Sequence, residues 1–313
     1  MANGRPVLVF GGTGLLGAPL ALRLAERGHH VYVAARSSRF AEPTAIGSVR
    51  CDVSAGGVAE RLLRELDPKW VINCAAVTSV DACESGGIAE RVNADWPGEL
   101  ATAAALAGAR CVQISTDSVF SREPQESEPE EGDARHPLNA YTRQKARAED
   151  AVLDASRGEA LVVRTNFFGW SPAPERGLAA WALRELRAER RIRGFSDVIF
   201  NPLYTGDAID LLVELLDTNA EGLIHLLGSL CLSKLSFVRA LAEVFSLDSQ
   251  LIEEGRLQDA ELKAPRPFNT CLATTRLERL LGRRPPTARE GLRRMLREEA
   301  SLCAKLATLE EYT

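Results

Sequence analysis

Lysine is scarce in this 313-residue sequence, since only five of its 38 basic residues are lysines and the others are arginines. No apolar stretch reaches the roughly 20 residues that a membrane-spanning helix needs, so we expect no membrane partner. A formal net charge of −5 argues against a nucleic-acid partner. Apolar residues make up 45% of the chain and charged residues 26%, which is typical of a globular protein with a substantial core.

A cysteine framework is missing as well. The seven cysteines show neither a C-x-x-C pair nor a metal-like spacing with the four histidines, so we predict no metal site. Cys51, Cys74 and Cys111 lie in or beside apolar runs, which indicates small buried hydrophobic side chains. An odd count without a disulfide framework is typical of a reducing compartment. The first apolar run, VLVF, is too short for a signal peptide, and we predict a cytoplasmic location.

Short apolar runs alternate with helical patterns along much of the chain. The runs interpreted as strands are residues 7–10, 31–35, 48–51, 70–76, 110–115, 160–165 and 222–228. The helical patterns cover about residues 14–27, 57–66, 84–107, 138–156, 205–217 and 233–246. Such alternation predicts a parallel sheet that is covered by helices on both faces and binds ligands at its carboxyl edge.

We therefore predict an α/β fold with a doubly wound parallel (Rossmann) sheet and a smaller C-terminal substrate-binding lobe. The sheet domain is assigned to residues 1–165 with 205–228, and the lobe to residues 166–204 with 229–313. The acidic, proline-containing stretch at 121–137 interrupts the alternation and is interpreted as an exposed loop.

A glycine-rich turn follows the first strand. The run VLVFGGTGLLG places Gly11, Gly14 and Gly17 between that strand and the first helix. Glycines at this spacing permit a tight turn, a close approach of a pyrophosphate and tight packing of helix on strand, while the helix N-terminus offers free N–H groups. We predict a dinucleotide site here, with a ligand-free glycine turn as the alternative. Pro19 fits only if it lies in the first turn of the helix.

The second strand indicates which dinucleotide is bound. It ends in AARSSR, without the carboxylate that takes the ribose 2′-hydroxyl in NAD-binding proteins. Arg36, Ser37 and Arg39 offer donors for a 2′-phosphate, which favours NADPH (NADP), although ordinary surface arginines are the alternative. Asp52 is a candidate for the adenine amino group or for a turn. The predicted cofactor-binding residues are Gly11, Thr13, Gly14, Leu15, Leu16, Gly17, Arg36, Ser37, Arg39, Asp52, Val53, Cys74, Ala75, Ala76, Tyr141 and Lys145.

A set of polar residues is expected beside this cofactor site. Thr116 and Asp117 come at the end of the fifth strand, and Tyr141 heads the next helix, with Lys145 one turn further on. Side chains four residues apart meet on a helix, and an ammonium has a pKa that can be tuned, unlike that of a guanidinium. Thr116, Tyr141 and Lys145 together resemble the catalytic set of the extended short-chain dehydrogenase/reductase superfamily.

The chain is more specifically similar to the dTDP-4-dehydrorhamnose reductase family. The motifs that carry the resemblance are, in chain order, GGTGLLG, VINCAAVTSVDACE, RVNADWPGELA, STDSVF, HPLNAYTRQKARAE, VVRTNFFG, NPLYTGDAID, SKLSFVRALAEVF and RPFNTCLATTRLERLLG. The resemblance implies an NADPH-dependent reduction of a nucleotide-linked 4-keto-6-deoxy sugar, with hydride transfer to C4. Tyr141 would donate a proton to the new oxyanion, Lys145 would hold the nicotinamide ribose, and Thr116 would orient the carbonyl. We also expect Lys145 to lower the pKa of Tyr141.

Three departures from the family pattern concern the sugar pocket. Ser118 replaces a common tyrosine, Phe167 replaces a tryptophan, and Thr142 follows the catalytic tyrosine where glycine is common. Asn166, Phe167 and Trp170 are candidates either for the pocket or for packing between lobes. The predicted substrate-binding residues are Thr78, Thr116, Asp117, Ser118, Asn166, Phe167, Arg193 and Arg266, of which the two arginines are assigned to a diphosphate.

Other functions stay open beside the reductase. Sugar-nucleotide epimerases and dehydratases of the superfamily recycle a tightly held NAD, but the similar 4,6-dehydratases carry an Asp-Glu pair where this chain has Asp117 and Ser118. A regulatory subunit of a methionine adenosyltransferase also resembles the family. The helices at 84–107 and 138–156 could pair in a homodimer, and the loop at 121–137 could cover the active site.

Overall fold

The computed structural model describes residues 4–41, 46–123, 126–172 and 177–311. The strands of the described residues are β1 (Val7–Phe10), β2 (Val31–Ala35), β3 (Ser38–Phe40), β4 (Ile46–Arg50), β5 (Trp70–Asn73), β6 (Arg110–Thr116), β7 (Leu161–Thr165), β8 (Phe167–Phe168), β9 (Ile192–Phe195), β10 (Ile199–Phe200), β11 (Leu203–Tyr204), β12 (Gly222–Leu226), β13 (Leu232–Ser233), β14 (Ile252–Gly255) and β15 (Leu309–Glu311). The α-helices are α1 (Gly17–Glu26), α2 (Val58–Leu66), α3 (Val80–Cys83), α4 (Ile88–Glu90), α5 (Trp96–Leu106), α6 (Ala140–Ala155), α7 (Leu178–Arg187), α8 (Thr205–Asp217), α9 (Lys234–Val244), α10 (Thr275–Leu281) and α11 (Ala288–Leu306).

Seven parallel strands form the central sheet, in the order β12-β7-β6-β5-β1-β2-β4. The chain runs outward from β1 to β2 and β4, then crosses back to β5 on the other side of β1. The predicted doubly wound parallel sheet is confirmed. The reversal between β1 and β5 opens a crevice at the carboxyl ends of these strands, which is where such sheets bind ligands.

Both faces of the sheet are buried, as its apolar strands predict. Along β1, Val7 and Val9 belong to one hydrophobic cluster, whereas Leu8 and Phe10 belong to the cluster on the opposite face. The ring of Trp96, on α5, packs edge-on against Phe10 at 5.0 Å between centroids. This double burial explains why the strands are nearly continuous apolar runs.

Smaller strand pairs lie outside the central sheet. These pairs are β8 with β11 and β9 with β14, both parallel, and β10 with β13 and β3 with β15, both antiparallel. None of the described helices is long and apolar enough to cross a membrane.

The helix predicted at 84–107 is interrupted in the structure. Gly86 and Gly87 have positive φ angles of 64° and 63°, and only the short α4 follows them. A π-helical segment, Arg91–Asp95, then leads into α5, which has Pro97 in its first turn. Left-handed glycines end a helix, so the pattern overestimated the length of this one.

The cysteines differ in part from the prediction. Cys51 and Cys111 are buried, as expected, and Cys74 is partly buried. Cys231 and Cys271, however, form a disulfide across 40 residues of sequence, so the expectation of no disulfide is wrong for this pair. The bond joins the segment that precedes α9 to the segment that precedes α10. Spacing alone could not reveal it, because the fold brings the two segments together.

Gly17 offers a test of the packing between helix and turn. A Cβ at this position would lie 2.2 Å from the Gly11 carbonyl oxygen. We expect Gly17→Ala to lower the free energy of unfolding by about 1–3 kcal/mol through overpacking, although alanine favours a helix. Urea denaturation measures this change. Gly56→Ala is the matched control, because its Cβ would meet no atom within 4 Å. Equal stability of the two variants would contradict the steric argument.

Candidate active site

The glycine turn lies at the crevice between β1 and β5. Gly11 has a φ of 68°, and a Cβ there would lie 2.7 Å from the backbone nitrogen of Ala75, which follows β5. The Gly14 N–H closes the turn by donating to the Gly11 carbonyl at 3.0 Å. No side chain caps the N-terminus of α1, and Pro19 is its third residue, within the first turn. The turn therefore offers an uncapped helix N-terminus without a side chain in the way, as a pyrophosphate requires.

The residues predicted to bind the 2′-phosphate and the adenine of the cofactor differ in their surroundings. Arg36 and Ser37 are exposed directly after β2. The guanidinium of Arg39 instead forms an ion pair of 2.7 Å with Glu310, on β15. Asp52 accepts hydrogen bonds from the backbone and hydroxyl of Ser54, which lower its pKa, and Arg36 lowers that pKa further. Arg36 and Ser37 thus keep accessible donors, whereas Arg39 already has a partner.

The other predicted cofactor residues surround the turn and the end of β5. Thr13 and Leu15 are partly buried, Leu16 is buried, and Val53 is partly buried behind β4. Cys74, Ala75 and Ala76 are partly buried, and the backbone of Cys74 and Ala75 lies against the glycine turn, since a Cβ at Gly11 would lie 2.8 Å from the Cys74 carbonyl carbon and 2.7 Å from the Ala75 nitrogen.

Thr116, Asp117 and Tyr141 come together at the carboxyl end of β6. The Thr116 hydroxyl donates to the Asp117 carboxylate at 3.1 Å. Burial raises the pKa of Tyr141, the nearby charge of Asp117 raises it further, and the Thr116 hydroxyl opposes the increase. The expectation that Lys145 lowers this pKa is therefore wrong. The phenol keeps its proton at neutral pH.

Lys145 is directed at the sheet rather than at the phenol. Its Nζ donates to the Ile114 carbonyl at 2.7 Å, and the residue is buried. Burial lowers the pKa of Lys145 to about 8, against the opposing effects of Glu149 and Cys74. The ammonium of Lys145 is therefore held at β6 by the Ile114 carbonyl.

The head of α6 is fixed by a capping box. The Asn139 side chain accepts from the Thr142 N–H at 3.0 Å, and the Thr142 hydroxyl accepts from the Asn139 N–H at 3.1 Å. Thr142, at a position where the resembled family commonly has glycine, therefore has a local function. It holds the first turn of α6, on which Tyr141 lies.

A buried ionic cluster joins α6 to the sheet. Glu149, fully buried, lies one turn beyond Lys145 and accepts from the Ser115 hydroxyl at 2.5 Å. The Arg164 guanidinium, also buried, donates to both Glu149 oxygens, the shortest contact being 2.8 Å. Arg135 adds a third donor at 3.1 Å. The cluster fixes the distance between the end of β6 and the helix that carries Tyr141.

The same cluster anchors the acidic stretch 121–137, of which residues 124–125 lie outside the described part. Arg164 donates to the Glu131 carbonyl at 3.2 Å, and the Glu131 carboxylate accepts from the His225 N–H at 3.0 Å. The Ala273 N–H donates to the Pro129 carbonyl at 3.0 Å. The stretch is mostly exposed, as predicted, but contacts with β12 and α6 hold its second half.

Asp117 is the acceptor at the centre of the site. Its carboxylate, 1% exposed, accepts from Asn166 at 2.7 Å and from the Ser118 hydroxyl at 3.0 Å, in addition to Thr116. Thr270 also donates to it. Burial raises the pKa of Asp117, and the four hydrogen bonds counteract this. No arginine or lysine contacts it directly within the described ranges.

The segment 264–270 forms one wall of the site. The Asn139 amide donates to the Pro265 carbonyl at 2.9 Å, which ties the segment to the head of α6. Asp81, on α3, accepts from the Ala264 N–H at 3.1 Å and from Arg266 at 2.9 Å. Arg266 is thus brought to the site.

The remaining residues predicted to bind substrate or line its pocket differ in their position and exposure. Arg193, on β9, is exposed and packs on Gly255, so no contact links it to Asp117. Thr78 is exposed after β5, and Phe167 is partly buried on β8. Trp170 donates to the Met295 carbonyl at 2.9 Å and is buried, which is packing rather than pocket lining.

Three polar residues at this site are absent from the sequence prediction. Thr270 donates to Asp117, Glu149 holds α6 against β6, and the charge of Asp117 raises the pKa of Lys234 against the larger, lowering effect of burial. Two features of the sequence point to them. Glu149 follows Lys145 by four residues, which is a helical spacing, and Lys234 is one of only five lysines. No sequence signal links Thr270 to Asp117, because the two residues are 153 positions apart in the sequence. That separation is on the order of a whole domain.

Replacing Glu149 tests the buried cluster. We expect Glu149→Gln to destabilise the protein by about 3–5 kcal/mol, because the buried Arg164 guanidinium loses its counter-charge, whereas Arg135 keeps its ion pair with Asp150. Thermal and urea unfolding measure the effect. Glu159→Gln, at an exposed position shortly after α6, is the matched control and should change stability little. Similar stability of both variants would show that the cluster contributes nothing.

Comparison with known proteins agrees with this geometry. The RmlD substrate binding domain model matches residues 5–301. A probable low-salt glycan biosynthesis reductase, Agl14, from Haloferax volcanii is 32% identical, over 91% of this chain and 95% of that protein. A dTDP-4-dehydrorhamnose reductase from Mycolicibacterium smegmatis is 31% identical, over 86% of this chain and 78% of that protein.

Solved structures show the same fold. A dTDP-4-dehydrorhamnose reductase from Bacillus anthracis, in complex with NADP, superposes with a TM-score of 0.82 at 23% identity, over 94% of this chain and 99% of that one. Since the family model extends over almost the whole chain, the protein belongs to the RmlD substrate binding domain family.

Proposed function

We propose that the protein is an NADPH-dependent reductase of a nucleotide-linked 4-keto-6-deoxy sugar. The observation that carries the proposal is the convergence of Thr116, Asp117 and Tyr141 at the end of β6, beside the glycine turn. One relative named a dTDP-4-dehydrorhamnose reductase and another named a probable glycan biosynthesis reductase support the substrate class. The Asp117–Ser118 pair speaks against a 4,6-dehydratase, as argued from the sequence.

The crevice between β1 and β5 fits a dinucleotide. The glycine turn and the uncapped N-terminus of α1 would hold the pyrophosphate, and Arg36 and Ser37 would bind the 2′-phosphate. The NADP in the Bacillus anthracis structure supports this choice of cofactor. When bound, NADPH would supply the hydride for C4.

Tyr141 is the proposed proton donor. Its raised pKa keeps the phenol protonated at neutral pH, so a proton is available as negative charge develops on the C4 oxygen. The Thr116 hydroxyl, next to the phenol, would donate to the same oxygen and orient the carbonyl. Lys145 would contact the nicotinamide ribose from its position on the next turn of α6.

We further propose that residues 166–204 with 229–313 form the substrate lobe, against a sheet domain of residues 1–165 with 205–228. Asn166, Ser118 and Arg266, all near Asp117 or the segment 264–270, would bind the sugar nucleotide. The cytoplasmic location and the homodimer stay predictions. In the structure, α5 and α6 pack against each other within one chain.

Turnover tests the reductase directly. We expect the protein to oxidise NADPH, in preference to NADH, with dTDP-4-keto-6-deoxyglucose as the substrate. Tyr141→Phe should lower kcat by roughly 10²–10⁴-fold, because the proton donor is lost. Tyr32→Phe, on β2, is the control and should keep wild-type turnover. Tight cofactor binding without oxidation by this or related keto sugars would contradict the proposal and favour a recycled-cofactor enzyme or a regulatory subunit.

The pH dependence tests the role of Lys145. Its pKa is lowered to about 8, so the ammonium loses its proton as the pH rises through that value. Since Tyr141 stays protonated, we expect kcat/KM to fall by about tenfold per pH unit above pH 8. Lys145→Arg keeps the positive charge, and its residual activity should lack this decline. A profile of kcat/KM from pH 6 to 10 measures both, and an identical decline in the variant would assign it to another group.

A further inference from the structure

Asn139 lies where the helix of the proposed proton donor meets the wall formed by residues 264–270. It directly precedes α6, whose second residue is Tyr141, and it is 2% exposed. Its side-chain oxygen accepts from the Thr142 N–H at 3.0 Å, while its amide nitrogen donates to the Pro265 carbonyl at 2.9 Å. One amide group thus caps α6 and holds the wall.

The two contacts of Asn139 require different chemical groups. A helix cap needs an acceptor, which serine, threonine and aspartate offer as well. The Pro265 carbonyl needs a donor, which a carboxylate lacks, and a hydroxyl oxygen lies one bond closer to the backbone than the amide nitrogen does. Exchange of the amide oxygen and nitrogen would lose both hydrogen bonds, so the orientation of the group is determined. An asparagine at this position therefore serves the wall as well as the cap.

The front of the wall, residues 264–266, contains neither helix nor strand and depends on side chains from elsewhere. Asp81 accepts from the Ala264 N–H at 3.1 Å and from Arg266 at 2.9 Å. The side chains of Arg266 and Asp81 are 24% and 36% exposed, and ion pairs that water can reach contribute little. The hydrogen bond from the buried Asn139 is the more rigid of the two attachments.

The first turn of α6 is itself held on both sides. The Ala140 N–H donates to the Glu84 carboxylate, after α3, at 2.8 Å. On the other side the Thr142 hydroxyl accepts from the Asn139 N–H at 3.1 Å and donates to the Asn139 carbonyl at 3.0 Å. Since Tyr141 lies between these residues, the phenol and the attachment point of the wall belong to one rigid unit.

We propose that Asn139 is a positioning residue, which sets the distance between the wall and the Tyr141 phenol. The inference rests on the proposed function. In that reaction the C4 oxygen must lie within hydrogen-bond reach of the phenol, while Arg266, on the wall, would hold the diphosphate. A displacement of about 1 Å between such groups is enough to slow a reaction by roughly a hundredfold. Asn139 acts through the wall and not by contact with the sugar.

Steady-state kinetics of Asn139→Ser and Asn139→Asp, with NADPH and dTDP-4-keto-6-deoxyglucose, test the proposal. Both variants keep the cap, but the serine hydroxyl is too short to reach Pro265, and a carboxylate ionised at the positive end of a helix can only accept. We expect kcat to fall roughly tenfold to a hundredfold through misalignment of the carbonyl. KM and the Ki of dTDP should change by less than about threefold, because Asp81 still holds Arg266.

Amide hydrogen exchange gives a readout that does not depend on turnover. In both variants, exchange should become faster at residues 264–270 and stay at the wild-type rate at residues 140–155, where the cap is kept. The melting temperature and the Kd of NADPH should also be those of wild type. Thr287→Ser, a cap exchange at α11, is the matched control and should change none of these quantities.

Each alternative outcome is distinct. Wild-type kcat in both variants overturns the proposal, and so does unaltered exchange at residues 264–270. A rise of KM and of the Ki of dTDP without a fall in kcat also overturns it, because Asn139 then contributes to binding alone. A lower melting temperature with faster exchange at 140–155 would assign the effect to the cap and equally overturn it. A wild type that binds NADPH but reduces no keto sugar overturns the proposed function, whereas the exchange rates still show whether Asn139 holds the wall.

Discussion

The carboxylate of Glu149 has no access to water, and the geometry of the site depends on how its charge is neutralised. Two guanidinium groups and a hydroxyl surround it, and they come from different parts of the chain: Arg135, Arg164 and Ser115. A buried charge of this kind is costly unless each partner is in place. The buried charge therefore fixes how β6, β7 and α6 pack, since only one arrangement of these elements brings all its partners to Glu149.

The site therefore has two parts, one fixed by this ionic cluster and one contributed by C-terminal segments. The fixed part consists of Thr116, Tyr141 and Lys145, which lie on β6 and α6 and share the ionic cluster behind them. The C-terminal part consists of connecting segments that carry Thr270, which donates to Asp117, and Lys234, whose pKa the charge of Asp117 raises. Both parts meet at Asp117. Segments from different parts of the chain thus reach one carboxylate, with Thr116 on one side and Thr270 on the other.

Much of the fold could be predicted from the sequence, because the information is local. Continuous apolar strands indicate a sheet buried on both faces, glycine spacing indicates the turn after β1, and a separation of four residues places Tyr141 and Lys145 on one side of α6. The start of α6 needs only Asn139 and Thr142, which lie within one turn of each other. Interactions of this range are readable without knowledge of the fold.

The features that could not be predicted depend on distant segments. Arg39 is paired with Glu310 near the end of the described chain, and Cys231 with Cys271 across 40 residues. The sign of the pKa shift of Tyr141 was wrong for a similar reason. It depends on burial and on Asp117, whereas the sequence suggested only the neighbour on the same helix. Electrostatics at a site follow from which chain segments exclude water there, and periodicity carries no information on that.

The position of Asp117 between early and late segments has a consequence for biosynthesis. The glycine turn, β6 and α6 leave the ribosome well before Thr270 does, by on the order of ten seconds at typical rates of translation. During that interval the crevice between β1 and β5 can form, but the carboxylate lacks its Thr270 donor and the wall at 264–270. The two sides of the site are thus completed at different times during synthesis, the crevice first and the wall at 264–270 later.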